Sequence, residues 1–422
     1  NPFYMWSSNG LDIGGRTGGK NDMLLDGAPL GVSARGSYMP SMDGVQEVAV
    51  QQNALDAEFG FSAGGTLNVS MKSGTNDYHG TGYYFGRNPE LNAMTNRITR
   101  GKSVVKNHIW GGTVGGPILK NKLFFYQVYE QWKNTQPQYK VSTAPTDLER
   151  TGDFSRSLAK DGSLRVIYDP WTTQFDAVNN IVTRTPFPGN ILPKQRINAT
   201  GQKAVNDVWK PNNPGDDITG VNNVKASYPW WLKYWNISTR ADYNISEKMR
   251  MYARYSRYET RLDNPNWGNS IAVPSDNGGL MDALSPAIDF LWMISPRTIV
   301  NMRYSAVYDE DDYDSGWAKV PESVWAGLWP NGWYKPVIAA LPGIYYPNFS
   351  FSGNGSLSTG FASWWLVRGR SHNGNLNVTR DAGRHHMKAG WMLRYQYDQN
   401  GNPGPGGFGF NAVDTGSTWL AY

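Results

Sequence analysis

The sequence predicts a mostly β protein, in which a small globular N-terminal domain precedes a transmembrane antiparallel β-barrel. Three observations predict this class. Strand-length segments alternate between apolar and polar residues, the connections between them are short and long in turn, and an aromatic fraction of 14% accompanies a mean hydropathy of only -0.54. Barrel strands place alternate residues in lipid and in a hydrated lumen, so their average hydropathy is low although one face is apolar.

The N-terminal region, residues 1–76, differs in composition and is expected to be the small domain. It is rich in glycine and contains only short β-like runs at residues 22–25 and 45–51, followed by a longer run at 66–71. A polar turn then leads into alternating aromatic sequence. We therefore expect the barrel to occupy residues 77–422.

Four predicted hairpins follow, each closed by a short turn. Their strands are residues 105–117 with 122–133, 230–244 with 248–260, 287–295 with 297–309, and 364–380 with 385–397. Their turns are residues 118–121, 245–247, Pro296 and 381–384. The connections between hairpins are long: residues 134–229, 261–286, 310–363 and 398–414. Outer-membrane barrels sort their connections in this way, so the four turns should lie at one end of the sheet.

Alternation also assigns side chains to the two faces of each strand. In the strand that begins at Arg297, Met302, Tyr304 and Tyr308 share one face, and Ser305 lies on the other. The first face suits lipid and the second a hydrated lumen, which the small domain should fill. Five lumen-facing arginines are expected to hold that domain: Arg240, Arg250, Arg254, Arg303 and Arg394.

Aromatic residues crowd the connection at 310–363. They are Trp317, Trp325, Trp329, Trp333, Tyr334, Tyr345 and Tyr346. Exposed rings suit sugars, peptides or another protein surface, but a large loop also needs a core of its own, and the sequence leaves both roles open. The connection at 134–229 contains several prolines, and we expect it to fold over the outer mouth as a lid together with this Trp-rich loop.

Two short motifs match catalytic spacings but lack the required context. The run GGRTGGK at residues 14–20 has the spacing of a phosphate-binding loop, but Asn21 follows where Ser or Thr would hold magnesium. The run GFSAG around Ser62 precedes a β-like segment, whereas a nucleophile elbow precedes a helix. The chain has no cysteine, which excludes thiol catalysis and Cys-ligated zinc. We predict a protein that is not an enzyme and has no cofactor.

An acidic run is a weak candidate for calcium. It contains Asp309, Asp311, Asp312 and Asp314, and carboxylates clustered in an outer loop can ligate this ion. The run lacks the glycine and the distal glutamate of an EF-hand, and a solvated loop stem is the alternative. No other metal site is predicted. The net charge is +5, but Lys and Arg are scattered along the chain, so we expect no nucleic-acid partner.

Several segments resemble the Oar-like (carboxypeptidase-regulatory-like domain-containing) group of TonB-dependent outer-membrane receptors. Residues 57–80, AEFGFSAGGTLNVSMKSGTNDYHG, are similar to the end of that family's plug domain. The runs LLDGAP at 24–29 and VQEVAVQ at 45–51 are similar to two further plug motifs. The run WGGTVGGPILKNKLFF at 110–125 resembles the early barrel strands, and the resemblance covers most of residues 10–260.

The resemblance implies the C-terminal part of a plug inside the first part of a 22-stranded barrel. This chain supplies about nine or ten of those strands, too few to close the cylinder alone. It further implies a location in the outer membrane of a Gram-negative bacterium, in contact with lipid and lipopolysaccharide. The implied function is binding of an extracellular ligand, such as a peptide, a glycan or a chelate. Import would use energy from TonB and its inner-membrane energising complex.

Two other functions remain open at this stage. One is a non-transporting adhesin or surface-assembly scaffold built on the same barrel. The other is a secreted β-rich carbohydrate-binding protein, which shares the aromatic composition. The identity of the ligand does not follow from the sequence.

Overall fold

The computed structural model describes residues 21–32, 35–36, 40–52, 65–96, 101–102, 104–263, 266–273, 278–312, 319–341, 343–351, 357–360, 366–401 and 407–411. In chain order the strands are β1 (Asp22–Leu25), β2 (Ala28–Pro29), β3 (Gly31–Val32), β4 (Arg35–Gly36), β5 (Val45–Gln52), β6 (Gly65–Met71), β7 (His79–Arg87), β8 (Met94–Asn96), β9 (Gly101–Lys102), β10 (Lys106–Leu119), β11 (Leu123–Ser142), β12 (Gln174–Asp176), β13 (Ile181–Thr183), β14 (Val224–Ser246), β15 (Met249–Asp263), β16 (Gly279–Leu284), β17 (Ala287–Ser295), β18 (Thr298–Asp312), β19 (Asn348–Phe351), β20 (Leu357–Ser358), β21 (Leu366–Ala382), β22 (His385–Gly401) and β23 (Gly407–Phe410). The α-helices are α1 (Ala199–Asp207), α2 (Glu322–Leu328) and α3 (Lys335–Ala339).

Ten strands form one antiparallel sheet. Along the sheet they follow the order in which they occur in the chain, and the other strands lie in the connections or in the N-terminal region. Its order is β22-β21-β18-β16-β15-β14-β11-β10-β7, and β17 pairs with the same two strands as β16. Strands β16 and β17 therefore share one position, interrupted at Ser285 and Pro286. Proline has no N–H to donate to a neighbouring strand, so the ladder breaks where Pro286 stands.

The four predicted short turns lie at one end of this sheet, as expected. Backbone hydrogen bonds join each turn to the next. They run from Asn244 N to Lys122 O (2.7 Å), from Met293 N to Lys248 O (2.8 Å) and from Asp381 N to Arg297 O (2.9 Å). The prediction is confirmed, and the long connections therefore leave from the opposite end.

The strands extend further toward that opposite end than the sequence indicated. Strands β11 and β14 are paired up to Ser142 and Val224, so the predicted connection 134–229 shrinks to residues 143–223. Pro137 and Pro229 face each other in this extension. Prolines are usually excluded from the middle of paired strands, so this extension runs against the usual sequence signal. Strand β16 also lies inside the connection predicted at 261–286.

The two faces of the sheet differ in the way that the alternation predicted. Outward-facing Trp391 and Tyr395 are 60% and 61% exposed, whereas inward-facing Ser238, Ser256 and Ser305 are buried. Apolar rings outside and hydroxyls inside are typical of a barrel wall. Separately, no helix in the described part of the chain is long and apolar enough to cross a membrane.

A four-stranded sheet, with the order β2-β1-β6-β5, packs against the inward face of the large sheet. We call it the small sheet. Its Met23, Leu25 and Val69 belong to one apolar cluster with Tyr126 and Val128 of β11 and with residues of β14, β15 and β16. No strand crosses the predicted boundary at residue 76, and the boundary itself stays a prediction.

The long connections form a second core at the other end of the sheet. This outer core joins residues from 144–224, 267–273, 320–357 and β23. The Thr200 hydroxyl donates to the Leu328 carbonyl oxygen at 2.6 Å, and the Tyr346 hydroxyl donates to Asp207 Oδ2 at 3.2 Å. The predicted association of the 134–229 connection with the Trp-rich loop is therefore confirmed.

Candidate functional site

Three of the predicted arginines lie in a single row across the large sheet. Each residue of the row pairs with the next one through the strand register, and directly opposed residues point to the same face. The row is Tyr126, Arg240, Arg254, Ala287, Ser305, Asn373 and Arg394. We call Arg240, Arg254 and Arg394 the arginine row. It faces the small sheet.

The turn between β1 and β2 reaches this row. Asp26 and Gly27 have positive φ angles of 53° and 75°, which is the Asp-Gly pattern of a tight hairpin turn. A side chain on Gly27 would collide with the guanidinium of Arg303, and the Gly27 N–H donates to Asn68 Oδ1 at 2.9 Å. The run LLDGAP therefore builds a narrow tip that carries one carboxylate into the barrel wall.

Asp26 is the shared acceptor of that tip. Its Oδ1 accepts from Arg240 Nη1 at 2.9 Å and from the Met71 N–H at 2.9 Å, and its Oδ2 accepts from Arg254 Nη1 at 3.0 Å. The side chains of Asp26 and Arg254 are 4% and 0% exposed. Arg254 Nη1 also donates to the Leu25 carbonyl oxygen at 2.7 Å, and the Tyr252 hydroxyl donates to the Asp26 carbonyl oxygen at 3.0 Å. Charged hydrogen bonds therefore fix the tip.

The same strand is held at its other end by the third arginine. Arg394 donates from Nη2 to Asp22 Oδ2 at 2.7 Å and from Nη1 to Asp22 Oδ1 at 3.2 Å, a bidentate pair with both side chains buried. Strand β1 is thus held at Asp22 and at Asp26, four residues apart, by arginines on β14, β15 and β22.

The remaining two predicted arginines behave differently. Arg303 Nε donates to Asp289 Oδ2 on the neighbouring strand at 2.8 Å, and Arg303 contacts the small sheet through its packing against Gly27. Arg250 is exposed one residue from the turn end of β15. Arg250 points to the predicted face of the sheet but lies too close to the turn end of the barrel to reach the small sheet. The contact predicted for Arg250 therefore does not occur among the described residues.

The arginines at this interface differ in the number of carboxylates that they contact. Arg240 also donates to Asp242, with 2.8 Å between Nη2 and Oδ1, and Arg303 is paired with Asp289. Within the described part of the chain Arg254 pairs with one carboxylate, that of Asp26, and its guanidinium also donates to the Leu25 carbonyl oxygen and to Ser285 Oγ at 3.4 Å. Since a buried charge without a partner is costly, Asp26 matters most for Arg254.

A cavity of about 190 Å³ with a mixed polar and apolar lining lies beside the arginine row. It is lined by Asp22 and Arg394, by Arg303 and by asparagines of both sheets, including Asn68, Asn301 and Asn375. One part of the interface is therefore apolar and another is of mixed polarity.

The structure assigns most of the loop aromatics to the outer core. The side chains of Trp325, Tyr334, Tyr345 and Tyr346 are at most 2% exposed, and Trp325 Nε1 donates to the Tyr345 carbonyl oxygen at 2.6 Å. Burial beside Asp207 also raises the pKa of Tyr346. Covered rings offer no face to a ligand, so these four residues take the second role that the sequence left open, which is to form a core within the loops. Trp329 and Trp333 keep exposed surface, and Trp317 lies outside the described residues.

The described part of the acidic run belongs to a strand. Strand β18 continues to Asp312, so successive carboxylates point to opposite faces: Asp309 and Asp311 are buried on the inner face, and Glu310 pairs with Arg368 on the other. Asp312 shares the outer side, and Asp314 lies outside the described residues. Asp312 therefore does not converge with Asp309 and Asp311, and the calcium candidate, which also includes Asp314, stays a prediction. Among the residues that the structure describes, no three His, Cys, Asp or Glu side chains lie close enough to hold a metal.

The outer connections enclose a large cavity that the sequence interpretation missed. Its volume is about 1190 Å³, and Phe349, Phe351, Phe408 and Phe410 line one wall. Strands β19 and β23 pair in parallel, which places Phe349 opposite Phe408 and Phe351 opposite Phe410. The signal was present in the runs NFSF and GFGF, where phenylalanines two residues apart share a strand face. What could not be predicted is that these distant segments pair.

The family comparison agrees with this architecture. A model of the outer membrane beta barrel domain matches residues 70–421 of the chain. The chain belongs to this outer-membrane β-barrel family. The predicted fold class and the predicted location in the outer membrane of a Gram-negative bacterium are thereby confirmed.

Individual relatives of this outer-membrane β-barrel are transporters and receptors. The TonB-dependent transporter Oar of Myxococcus xanthus is 30% identical over 182 residues, which are 39% of this chain and 17% of Oar. This confirms the resemblance to the Oar-like group. The outer-membrane transporter YddB of Escherichia coli has a TM-score of 0.48 at 8% identity, over 92% of this chain and 42% of YddB. A mutant ferric enterobactin receptor of Pseudomonas aeruginosa has a TM-score of 0.43 at 11% identity, over 93% of this chain and 44% of the receptor.

Proposed function

We propose that the protein is part of a TonB-dependent outer-membrane receptor. It would bind a ligand at the face formed by the outer core and import it when TonB, driven by its inner-membrane energising complex, displaces the small sheet. In this proposal the small sheet belongs to a plug domain, and no covalent bond is made or broken. The observation that carries the proposal is the attachment of strand β1 to the arginine row.

This attachment suits a closed gate that needs an energy input to open. Removing one partner of a buried ion pair typically costs about 3–5 kcal/mol. Asp22 and Asp26 take part in three such pairs, and an apolar cluster adds to them. Thermal motion alone would therefore rarely displace the small sheet. A force applied along the chain would let the charges separate, beginning at the cavity beside Arg394.

The proposal is tested by asking whether TonB exposes a buried residue of the small sheet. Residues 1–422 contain no cysteine, so Val69→Cys would place the one thiol of this region at a site that is 4% exposed. In cells that contain the complete protein, a membrane-impermeant maleimide should label this thiol when TonB and the proton gradient are present. Labelling should fall at least tenfold when TonB is deleted or an uncoupler is added.

A matched control separates exposure from general access. Val178→Cys, in an outer connection and 92% exposed, should be labelled equally under all conditions. Equal labelling of Val69→Cys with and without TonB would favour the non-transporting scaffold, since only a transporter needs the small sheet to move.

A further inference from the structure

The outer cavity has two walls built from distant parts of the chain. One wall comes from residues 143–168 and from α1, and the other from β19, β20 and β23. Together they enclose about 1190 Å³. Cavities that bury drug-sized ligands usually measure about 300–1000 Å³, so this space is large enough for a small molecule of that size.

Aromatic rings form the second wall. Phe349 and Phe408 stack with 5.3 Å between ring centroids, and Phe351 and Phe410 stack at 5.1 Å with their planes 13° apart. Trp329 extends this surface, 5.4 Å from Phe408. Leu158, Leu164, Val166 and Ile167 lie on the facing wall. Stacked rings opposite aliphatic side chains create a wide apolar slot.

Several of the polar groups that line the cavity are already bonded within the protein. Glu149 accepts from the Thr146 N–H at 2.9 Å and from Ser157 Oγ at 2.6 Å. Asn223 exchanges two hydrogen bonds with the backbone of Ala144, at 2.8 and 2.9 Å. The Thr200 hydroxyl donates to the Leu328 carbonyl oxygen. A charged or polyhydroxylated ligand would lose its bonds to water here and gain few replacements, which is unfavourable.

The formal charges of the lining also cancel. Within the described residues, the charged side chains of the lining are Glu149 and Arg165. An anionic chelate would need a surplus of cations, and a cationic peptide would need a surplus of carboxylates. Neither surplus exists, whereas a neutral ligand requires none.

The first wall is rigid because a buried arginine anchors α1. Arg150 donates from Nη1 to the Val205 carbonyl oxygen at 2.5 Å and from Nη2 to the Trp209 carbonyl oxygen at 2.7 Å. Burial lowers the pKa of this arginine. A cation at the C-terminal end of a helix is well placed, because the last carbonyl groups of the helix have no partner in the helix itself. A preformed wall lowers the cost of ordering on binding.

We infer that this cavity binds an uncharged, aromatic small molecule. The inference rests on the proposed function, because it names the class of ligand that the receptor would take at its outer face. Recognition comes from stacking on the phenylalanine wall and from apolar contact with the opposite wall. Charge on the ligand opposes binding.

The test compares two probes that share a ring system. 2-Naphthol is neutral at pH 7 and 2-naphthoate is an anion, and their binding to the complete protein in nanodiscs can be measured by titration calorimetry. Empty nanodiscs correct for partition into lipid. We expect 2-naphthol to bind at least tenfold more tightly than 2-naphthoate.

Variants on both walls locate the site. Phe351→Ser and Leu164→Ser change side chains that are 37% and 43% exposed, so the outer core stays intact. Each should weaken 2-naphthol binding at least fivefold. Phe175→Ser is the matched control, because Phe175 is 62% exposed on the hairpin of β12 and β13, outside the cavity. It should leave the affinity unchanged.

Each outcome decides one claim. Equal or tighter binding of 2-naphthoate, or loss of affinity in none of the wall variants, overturns the inference. Binding is measured without TonB, so it is independent of transport. If 2-naphthol binds as expected but Val69→Cys is labelled equally with and without TonB, the cavity assignment holds and the proposed transport fails. The reverse pattern rejects only the cavity assignment.

Discussion

Asp26→Asn should loosen the small sheet far more than the removal of a carboxylate from an exposed ion pair of the barrel. Asparagine tolerates the positive φ of this position and keeps one acceptor oxygen, so the turn survives and the negative charge is what is lost. Arg240 retains Asp242, but Arg254, which is 0% exposed, loses its ion-pair partner. Leaving such a buried charge unpaired costs about 3 kcal/mol, the lower end of the usual range.

This cost can be read as a rate of hydrogen exchange. At about 1.4 kcal/mol per factor of ten, 3 kcal/mol increases the open population of the small sheet by roughly 150-fold. The amides of β1 and β6 in the complete protein should therefore exchange about 150 times faster, as measured by mass spectrometry of their peptides. Replacing both members of the pair, in Asp26→Asn with Arg254→Met, should recover part of the loss.

Asp282→Asn is the matched control. Asp282 pairs with Arg257 at 2.6 Å, but the side chains are 27% and 39% exposed. Exposed pairs contribute about 0–1 kcal/mol, so exchange in the small sheet should change less than about fivefold. If Asp26→Asn also stayed within fivefold of the unchanged protein, the arginine row would not hold the small sheet and the reasoning would be wrong.

Three further predictions concern motion, capture and pH. The first uses a disulfide between Gly44→Cys and Val128→Cys, because a Cβ on residue 44 would lie 3.5 Å from the Val128 Cβ. This disulfide should abolish the TonB-dependent labelling of Val69→Cys in the same chain, and its reduction by dithiothreitol should restore the labelling. Labelling while the disulfide is closed would contradict a motion of the small sheet relative to β11. Deletion of residues 146–221 should leave a heat-modifiable barrel but remove 2-naphthol binding, and retained affinity would place the site elsewhere. The hydrogen bond from Arg196 lowers the pKa of Asp169. The stability that the ionised Asp169 contributes is therefore complete above the ordinary aspartate pKa of about 3.9 and is lost as the pH falls through the lower pKa of the folded state. Amide exchange near Trp171 should accelerate in that pH range, and Asp169→Asn should remove this pH dependence.

The alternation of the sequence predicted most of the large sheet, because two-residue periodicity is a local property. It gave the faces of Arg240, Arg254 and Arg394 correctly for the same reason. It failed for Arg250, since periodicity defines the face of a side chain but not its height along the barrel. It also could not name Asp22 and Asp26 as partners, because contacts between residues more than two hundred positions apart depend on the register of every intervening strand.

The outer region was harder to predict for a related reason. Trp325 and Tyr345 look like exposed loop aromatics in the sequence, and only the packing of four separate connections shows that they are buried. The cavity likewise depends on the parallel pairing of β19 with β23. A local sequence pattern does not predict a pairing between two distant segments. Burial in such loops results from their mutual contacts, so composition alone leaves the two roles of an aromatic residue unresolved.

The chemistry of the small-sheet interface is consistent with a contact that must be both specific and reversible. Buried ion pairs add little net stability compared with apolar packing, but they lose much energy when the geometry is wrong. The apolar cluster around Met23 and Val128 can therefore supply adhesion, while the arginine row fixes where β1 stops. Apolar surface exposed by a displaced sheet would stay unfavourable in water, whereas separated arginines and aspartates are readily hydrated. A cavity lies beside Arg394, where that separation would begin, so the charged contacts would hold the resting position of the sheet without making it permanent.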